Sequence, residues 1–218
     1  MRTHYVAGLV AVALTLGASA CTTSKDVPPE EAVLRLELDA CRQGVGNRAT
    51  AVSIGGGMAV TAAHSFDDVD GFRVVGPDDT STPGFLVFRD RDRDIAVITF
   101  EDDKMPSGVQ DGLVFAEDSE DTSLQVVLFR LEAPETQDVE VLRRVTLTLD
   151  GIGRRAGMEL AADILRGDSG APVVDDNGDI AGLIFATVRT GERAWAIAAS
   201  EIATAPDDAA APIKLQCS

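Results

Sequence analysis

The stretch that decides the fold is "RGDSGAPVV", residues 166–174, in which a glycine-lined loop leads into an apolar strand. Gly167 and Gly170 enclose Asp168 and Ser169, and glycine tolerates the backbone conformations of a tight turn. A serine on such a turn can act as a nucleophile when a neighbouring base takes its proton and a third group orients that base. The stretch therefore predicts a nucleophilic Ser169 and requires a histidine and an acid elsewhere in the chain.

The required histidine and acid are both available. The chain has 2 histidines, and only His64 lies outside the N-terminal leader described below. It stands in "VTAAHSF", at the end of an apolar strand, from which a side chain can emerge into a cleft. Asp90, Asp92 and Asp94 precede the apolar segment "IAVITF". We expect Asp94 to orient His64 because it directly abuts the strand and is the most desolvated; Asp90 and Asp92 remain its rivals.

The N-terminus is typical of an exported protein. Residues 1–20 contain an apolar run too short to span a bilayer, followed by small residues, and they are interpreted as a signal peptide. "ASAC" resembles a bacterial lipobox, which predicts a lipidated Cys21 that anchors the protein to a membrane of the cell envelope. The alternative is plain cleavage after Ala20 and secretion. Residues 21–33 are then the lipidated cysteine and a polar tether, and the domain is 34–218.

The remaining cysteines, Cys41 and Cys217, predict a disulfide bond. An exported chain meets an oxidising compartment in which such bonds persist. The bond would tie the start of the domain to its end. The alternative is two free, buried thiols.

Charge limits the partners. The formal net charge is −17, which argues against binding to nucleic acid or electrostatic attachment to an anionic membrane surface. An acidic surface attracts basic substrates.

"DDNGD" (175–179) spaces its acids like the start of a calcium loop, but its glycine is misplaced, and Asn177-Gly178 favours a hairpin turn. This stretch therefore predicts no calcium site.

Hydrophobic patterning indicates an all-β protein, a barrel or a sandwich, because apolar segments alternate with turn signals. Helix is scarce: residues 30–40 fit a helix or a strand, and 199–205 fit a short terminal helix. The predicted strands are 49–54, 58–62, 72–76, 84–90, 94–100, 123–130, 138–150, 171–174, 180–188 and 193–199.

Three motifs carry a family resemblance. "VTAAH", "DIAV" and "GDSGAP" occur in the order His, Asp, Ser, which resembles the trypsin/chymotrypsin-like serine proteases and, in its compactness, their bacterial HtrA branch. The resemblance spans about residues 44–203. It implies two six-stranded antiparallel β-barrels, with His64 and Asp94 in the first and Ser169 in the second. It also implies a serine endopeptidase acting on proteins or peptides without metal or cofactor.

The resemblance assigns further roles in the site. The amides of Gly167 and Ser169 would form the oxyanion hole. Asp168 would be a structural acid paired with a buried cation, for which Arg154 and Arg155 are candidates. Gly170 would leave room for the scissile bond.

The strand after the nucleophile departs from the family pattern. Many relatives have a serine there that touches the catalytic acid, whereas this chain has Leu183-Ile184-Phe185. Thr61 and the Ala63 amide are candidates to compensate. The missing hydroxyl keeps open a second hypothesis, a catalytically silent binding protein on the protease scaffold.

Substrate selection is predicted from three positions. Asp163 lies where the floor of the S1 pocket is expected, and an acid there favours Arg or Lys at P1. Phe185 and Thr187 are expected to line, occlude or reshape that pocket. The domain ends near residue 205, so no room is expected for the PDZ domain of HtrA proteins.

Overall fold

Two closed β-barrels make up the structure, a computed structural model that describes residues 27–42, 48–117, 121–130, 132–149, 152–187 and 192–217. The predicted signal peptide and Cys21 lie outside the described residues. Within these ranges no helix is both long and apolar enough to cross a membrane.

The first barrel contains six antiparallel strands in the order β1-β2-β3-β6-β5-β4. Its strands are β1 (Val33–Ala40), β2 (Arg48–Gly55), β3 (Met58–Ala62), β4 (Val69–Val75), β5 (Ser81–Asp90) and β6 (Ile95–Phe100).

The second barrel repeats the architecture in the order β10-β11-β12-β9-β8-β7. Its strands are β7 (Ser123–Arg130), β8 (Ala133–Leu149), β9 (Ile152–Ala161), β10 (Pro172–Val174), β11 (Ile180–Thr187) and β12 (Ala194–Ala198). The short helices are α1 (Pro29–Ala32), α2 (Ser107–Asp111), α3 (Ala199–Ile202) and the 3-10 turns Ala63–Phe66 and Ala205–Asp208. The predicted double barrel is confirmed.

Many strands have apolar residues on both faces because they contribute to two cores, one inside their own barrel and one between the barrels. Successive side chains of a strand point to opposite faces, so Ala59 lies in the first barrel while Val60 lies in the core between the barrels. Likewise Ile184 fills the second barrel and Leu183 contacts the core between them. The shared core fixes the crevice that holds the site.

Three local assignments differ from the sequence prediction. The ambiguous segment 30–40 is both helix and strand, since α1 ends where β1 begins. The folded chain begins before residue 34, because Ala32 is fully buried. Strand β9 was not predicted; its Gly157 is required because a Cβ there would lie 2.7 Å from the Ala196 carbonyl oxygen.

The C-terminal segment lies on the first barrel. The amide of Ile213 donates to the Leu86 carbonyl at 2.7 Å, and Leu215 packs against the barrel core. Cys217 then joins Cys41 with an S–S distance of 2.06 Å, so the predicted disulfide is confirmed.

Candidate active site

His64 projects from the first barrel at the turn after β3. The turn is anchored to Asp94 through the Ala63 amide, which donates to the Asp94 carbonyl at 3.2 Å. Beneath it, Arg89 donates to the Ala63 carbonyl at 2.9 Å and to the Asp67 carboxylate at 2.6 Å. The His64 side chain is 43% exposed, so its ring is fixed at the base and open toward the crevice.

Asp94 holds the His64 ring from one edge. Its Oδ2 lies 2.8 Å from His64 Nδ1, and its Oδ1 accepts the His64 amide, also at 2.8 Å. The carboxylate is 6% exposed, which agrees with the desolvation argued from its place beside β6. This hydrogen bond raises the pKa of His64 above 6.5, although burial acts in the opposite direction. The rivals are placed elsewhere: Asp90 binds Arg93, and Asp92 is exposed.

Ser169 approaches His64 from the second barrel. Its Oγ lies 3.0 Å from His64 Nε2, so carboxylate, imidazole and hydroxyl form one hydrogen-bonded series. The serine is fixed to the first barrel, because its carbonyl accepts the Thr50 amide at 2.9 Å. The structure therefore brings together the three side chains that the motifs predicted.

Gly170 allows the two barrels to approach closely. It has φ +86°, and a Cβ on it would lie 2.1 Å from the Thr50 carbonyl oxygen and 2.2 Å from the Thr61 hydroxyl. The space beside Gly170 is thus filled by the first barrel. We expected this glycine to leave room for the scissile bond. In the structure, glycine is needed here because the first barrel packs directly against it.

The two amides assigned to the oxyanion hole are free of protein acceptors within the described part of the chain. Gly167 has φ +100°, the conformation that favours glycine and that the sequence predicted. Its carbonyl accepts the Thr50 hydroxyl at 2.9 Å, which fixes one side of the loop. The Asp168 amide between them donates to the Leu165 carbonyl at 3.2 Å.

Asp168 pairs with Arg130, not with Arg154 or Arg155. The Arg130 Nη2 lies 2.6 Å from Asp168 Oδ2, and its Nε lies 3.1 Å from the same oxygen. The carboxylate is 2% exposed and also accepts the Leu165 amide at 2.8 Å. The hydrogen bond to Asp168 raises the pKa of Arg130. Asp168 is thus a buried acid paired with a cation, as expected, but the cation is Arg130.

The groups expected to replace the missing strand hydroxyl bind elsewhere. The Thr61 hydroxyl donates to the Thr50 carbonyl at 2.6 Å, and the Ala63 amide reaches the Asp94 carbonyl rather than its carboxylate. Arg155, a buried residue of β9, donates to the carbonyl of Asp92, two residues before the acid, at 2.9 Å. Sequence reasoning missed this placement, since only the closure of the second barrel brings β9 to the crevice.

Of the residues predicted for S1, Asp163 follows β9, whereas Phe185 and Thr187 both lie on β11. Asp163 is exposed, and its carbonyl accepts Arg130 Nη2 at 2.7 Å. Phe185 is buried with its ring against Arg155, while Thr187 is exposed and donates to the Arg193 carbonyl at 3.0 Å. Their role in substrate selection stays a prediction.

Two antiparallel six-stranded barrels with serine, imidazole and carboxylate in the crevice between them define the chymotrypsin-like class of serine proteases. A family model described as a trypsin-like peptidase domain matches residues 49–183, and the chain belongs to this family of serine endopeptidases. The predicted family is therefore confirmed. No curated protein sequence matches the chain significantly.

Solved structures share the fold at low sequence identity. The active form of the Rv3671c protease from M. tuberculosis has a TM-score of 0.74 and 21% identity, covering 87% of this chain and 86% of that one. The HtrA-type protease AlgW with tripeptide has a TM-score of 0.67 and 19% identity, covering 82% and 58%. A serine protease of a human pathogenic astrovirus has a TM-score of 0.59 and 17% identity, covering 79% and 91%.

Proposed function

We propose that the protein hydrolyses peptide bonds in proteins or peptides through a covalent acyl-enzyme formed on Ser169. His64 Nε2 accepts the Ser169 proton as the hydroxyl attacks the substrate carbonyl, and it returns a proton to the leaving amine. Asp94 holds the ring in the tautomer that presents Nε2 as the acceptor. A water molecule, activated by the same imidazole, then releases the acyl group.

The observation that carries the proposal is the hydrogen-bonded series from Asp94 through His64 to Ser169. Its distances of 2.8 Å and 3.0 Å are those that proton transfer requires. The Gly167 and Ser169 amides are available to bind the oxyanion, and each such donor contributes about 3 kcal/mol to the transition state. Serine, imidazole, carboxylate and two amides, together with the hydrolytic water, supply every step of the reaction.

Labelling with a fluorophosphonate tests the proposal. The probe phosphonylates a serine only when its hydroxyl is activated, so we expect labelling of the wild-type chain and none of Ser169→Ala. Since Ser169 is only partly buried, Ser169→Ala should keep the fold, and its urea unfolding midpoint should equal that of the wild-type chain. Cleavage of an unfolded protein substrate should follow the same pattern. Labelling of Ser169→Ala, or of neither protein, would contradict the proposal; the second result favours the silent binding protein.

We further propose that the protein is exported and anchored by lipid at Cys21. The disulfide between Cys41 and Cys217 supports an oxidising compartment. Mass spectrometry of the membrane-extracted protein should find Cys21 as a lipidated N-terminus, and Cys21→Ala should leave the membrane fraction. An unmodified chain that begins after Ala20 would instead indicate plain secretion.

A further inference from the structure

Arg155 is a buried cation at the junction of the two barrels. It is 3% exposed, whereas its neighbour Arg154 on β9 is exposed. Burying a guanidinium is unfavourable unless other groups compensate. Burial lowers the pKa of Arg155, and the Asp94 charge is the largest of the effects that oppose this shift. Arginine stays protonated in spite of this shift, so Arg155 carries a positive charge in the interior of the protein.

Its contacts cross from the second barrel to the first. Arg155 Nη1 donates to the Asp92 carbonyl at 2.9 Å, two residues before the acid of the proposed triad. The guanidinium carbon lies 4.8 Å from the centre of the Phe185 ring, a distance at which a cation and an aromatic face attract. Phe185 belongs to the strand segment that lacks a hydroxyl, so Arg155 contacts that strand and the turn of Asp94 at once.

The Asp94 turn needs support of this kind. Asp94 has φ +59°, a left-handed conformation that is unfavourable for a residue with a side chain and persists only when the surrounding contacts impose it. Both carboxylate oxygens accept hydrogen bonds from His64 alone among the described residues. Arg155 Nε and Nη2 are buried with no acceptor in that same part of the chain. The guanidinium is thus held by the Asp92 carbonyl and the Phe185 ring rather than by a carboxylate of the described residues.

We propose that Arg155 is a positioning residue for the site: it fixes the turn of Asp94 through the Asp92 carbonyl, while the Phe185 ring holds its guanidinium in place. This inference rests on the proposed function. Arg155 touches no substrate; it acts by keeping the Asp94–His64 hydrogen bond in place. It connects the second barrel, which carries Ser169, to the acid of the first.

The test compares Arg155→Met with Arg154→Met, the exposed arginine next to it on the same strand. Two quantities are measured on the full chain: the rate constant of fluorophosphonate labelling, and the proton NMR resonance of His64 Nδ1–H, which lies far downfield when Asp94 accepts it. We expect Arg155→Met to slow labelling about tenfold, because a misplaced base loses its alignment. The resonance should broaden or disappear through exchange with water. Arg154→Met should change neither quantity.

A folded Arg155→Met chain with wild-type labelling and an unchanged resonance would overturn the inference. If Arg155→Met does not fold, Arg155→Lys decides, because it keeps the charge but loses the planar fork that reaches Asp92 and stacks on Phe185. Slower labelling with a shifted resonance supports the inference, and wild-type values in both overturn it. If the wild-type chain is not labelled at all, the proposed function fails, while the resonance still tests the contact.

Discussion

Arg130→Met should destabilise the protein strongly, because it removes the only cation hydrogen-bonded to Asp168 among the described residues. The pair is joined by contacts of 2.6 Å and 3.1 Å, and the Asp168 carboxylate is 2% exposed. Breaking a buried ion pair by removing one partner costs about 3–5 kcal/mol, since the other charge stays buried. The Arg130 side chain is 22% exposed, which lets water compensate in part. We therefore expect a loss of about 3 kcal/mol in the free energy of unfolding.

Urea titration of the full chain measures this loss, with Arg91→Met as the matched control. Arg91 also pairs with an aspartate, at 2.9 Å, but the two side chains are 69% and 57% exposed, so its removal should cost less than about 1 kcal/mol. Adding Asp168→Asn to Arg130→Met removes the orphaned charge and should recover about 1 kcal/mol or more. Equal losses for Arg130→Met and the control would refute the reasoning.

Three further predictions concern the crevice. Because the hydrogen bond to Asp94 raises the pKa of His64 and labelling needs a neutral imidazole, the labelling rate should fall on acidification through a midpoint above 6.5; a midpoint below 6.5 would contradict this. The raised pKa of His64 also stabilises the folded protein below pH 6.5, and this stabilisation is lost as the pH rises through the folded-state pKa. In urea titrations, His64→Ala should therefore reduce the free energy of unfolding more at about pH 5.5 than at about pH 9. Gly170→Ala should lower the free energy of unfolding by about 3 kcal/mol or more, because the residue has a positive φ and a Cβ would clash with Thr50. Gly56→Ala should lower it by only about 1 kcal/mol. Gly56 is the matched control because it has φ +61° and nothing within 4 Å of its Cβ; similar urea midpoints for the two variants would show that the barrels can separate there at little cost.

The fold and the three central side chains could be predicted because their signals are local. The apolar strands of the first barrel, the motif around Ser169 and the position of Asp94 beside β6 are each contained in a few consecutive residues. Strand β9 could not be predicted from such signals, because "IGRRAGMELA" has adjacent arginines and two glycines. One of those glycines, Gly157, is required by the Ala196 carbonyl oxygen on the neighbouring strand β12.

The partner choices of the arginines could not be predicted for a related reason. Arg130 reaches Asp168 across a separation of 38 residues, and only barrel closure brings the end of β7 to that loop. Arg154 and Arg155 are identical in type and adjacent in sequence, yet strand alternation exposes one and buries the other. Which one is buried depends on the register of β9, and that register depends on neighbours far along the chain.

The disulfide has a consequence for the durability of an enzyme that cuts peptide bonds. Cys41 and Cys217 are separated by 176 residues, so nearly all of both barrels lies inside one covalent ring. A single cut in any loop of that ring, whether by another protease or by a second copy of this one, opens the ring without releasing a fragment. The two pieces stay tethered, which keeps their effective concentration high and favours reassociation. His64 and Ser169, which come from different barrels, would therefore remain parts of one molecule after the first nick.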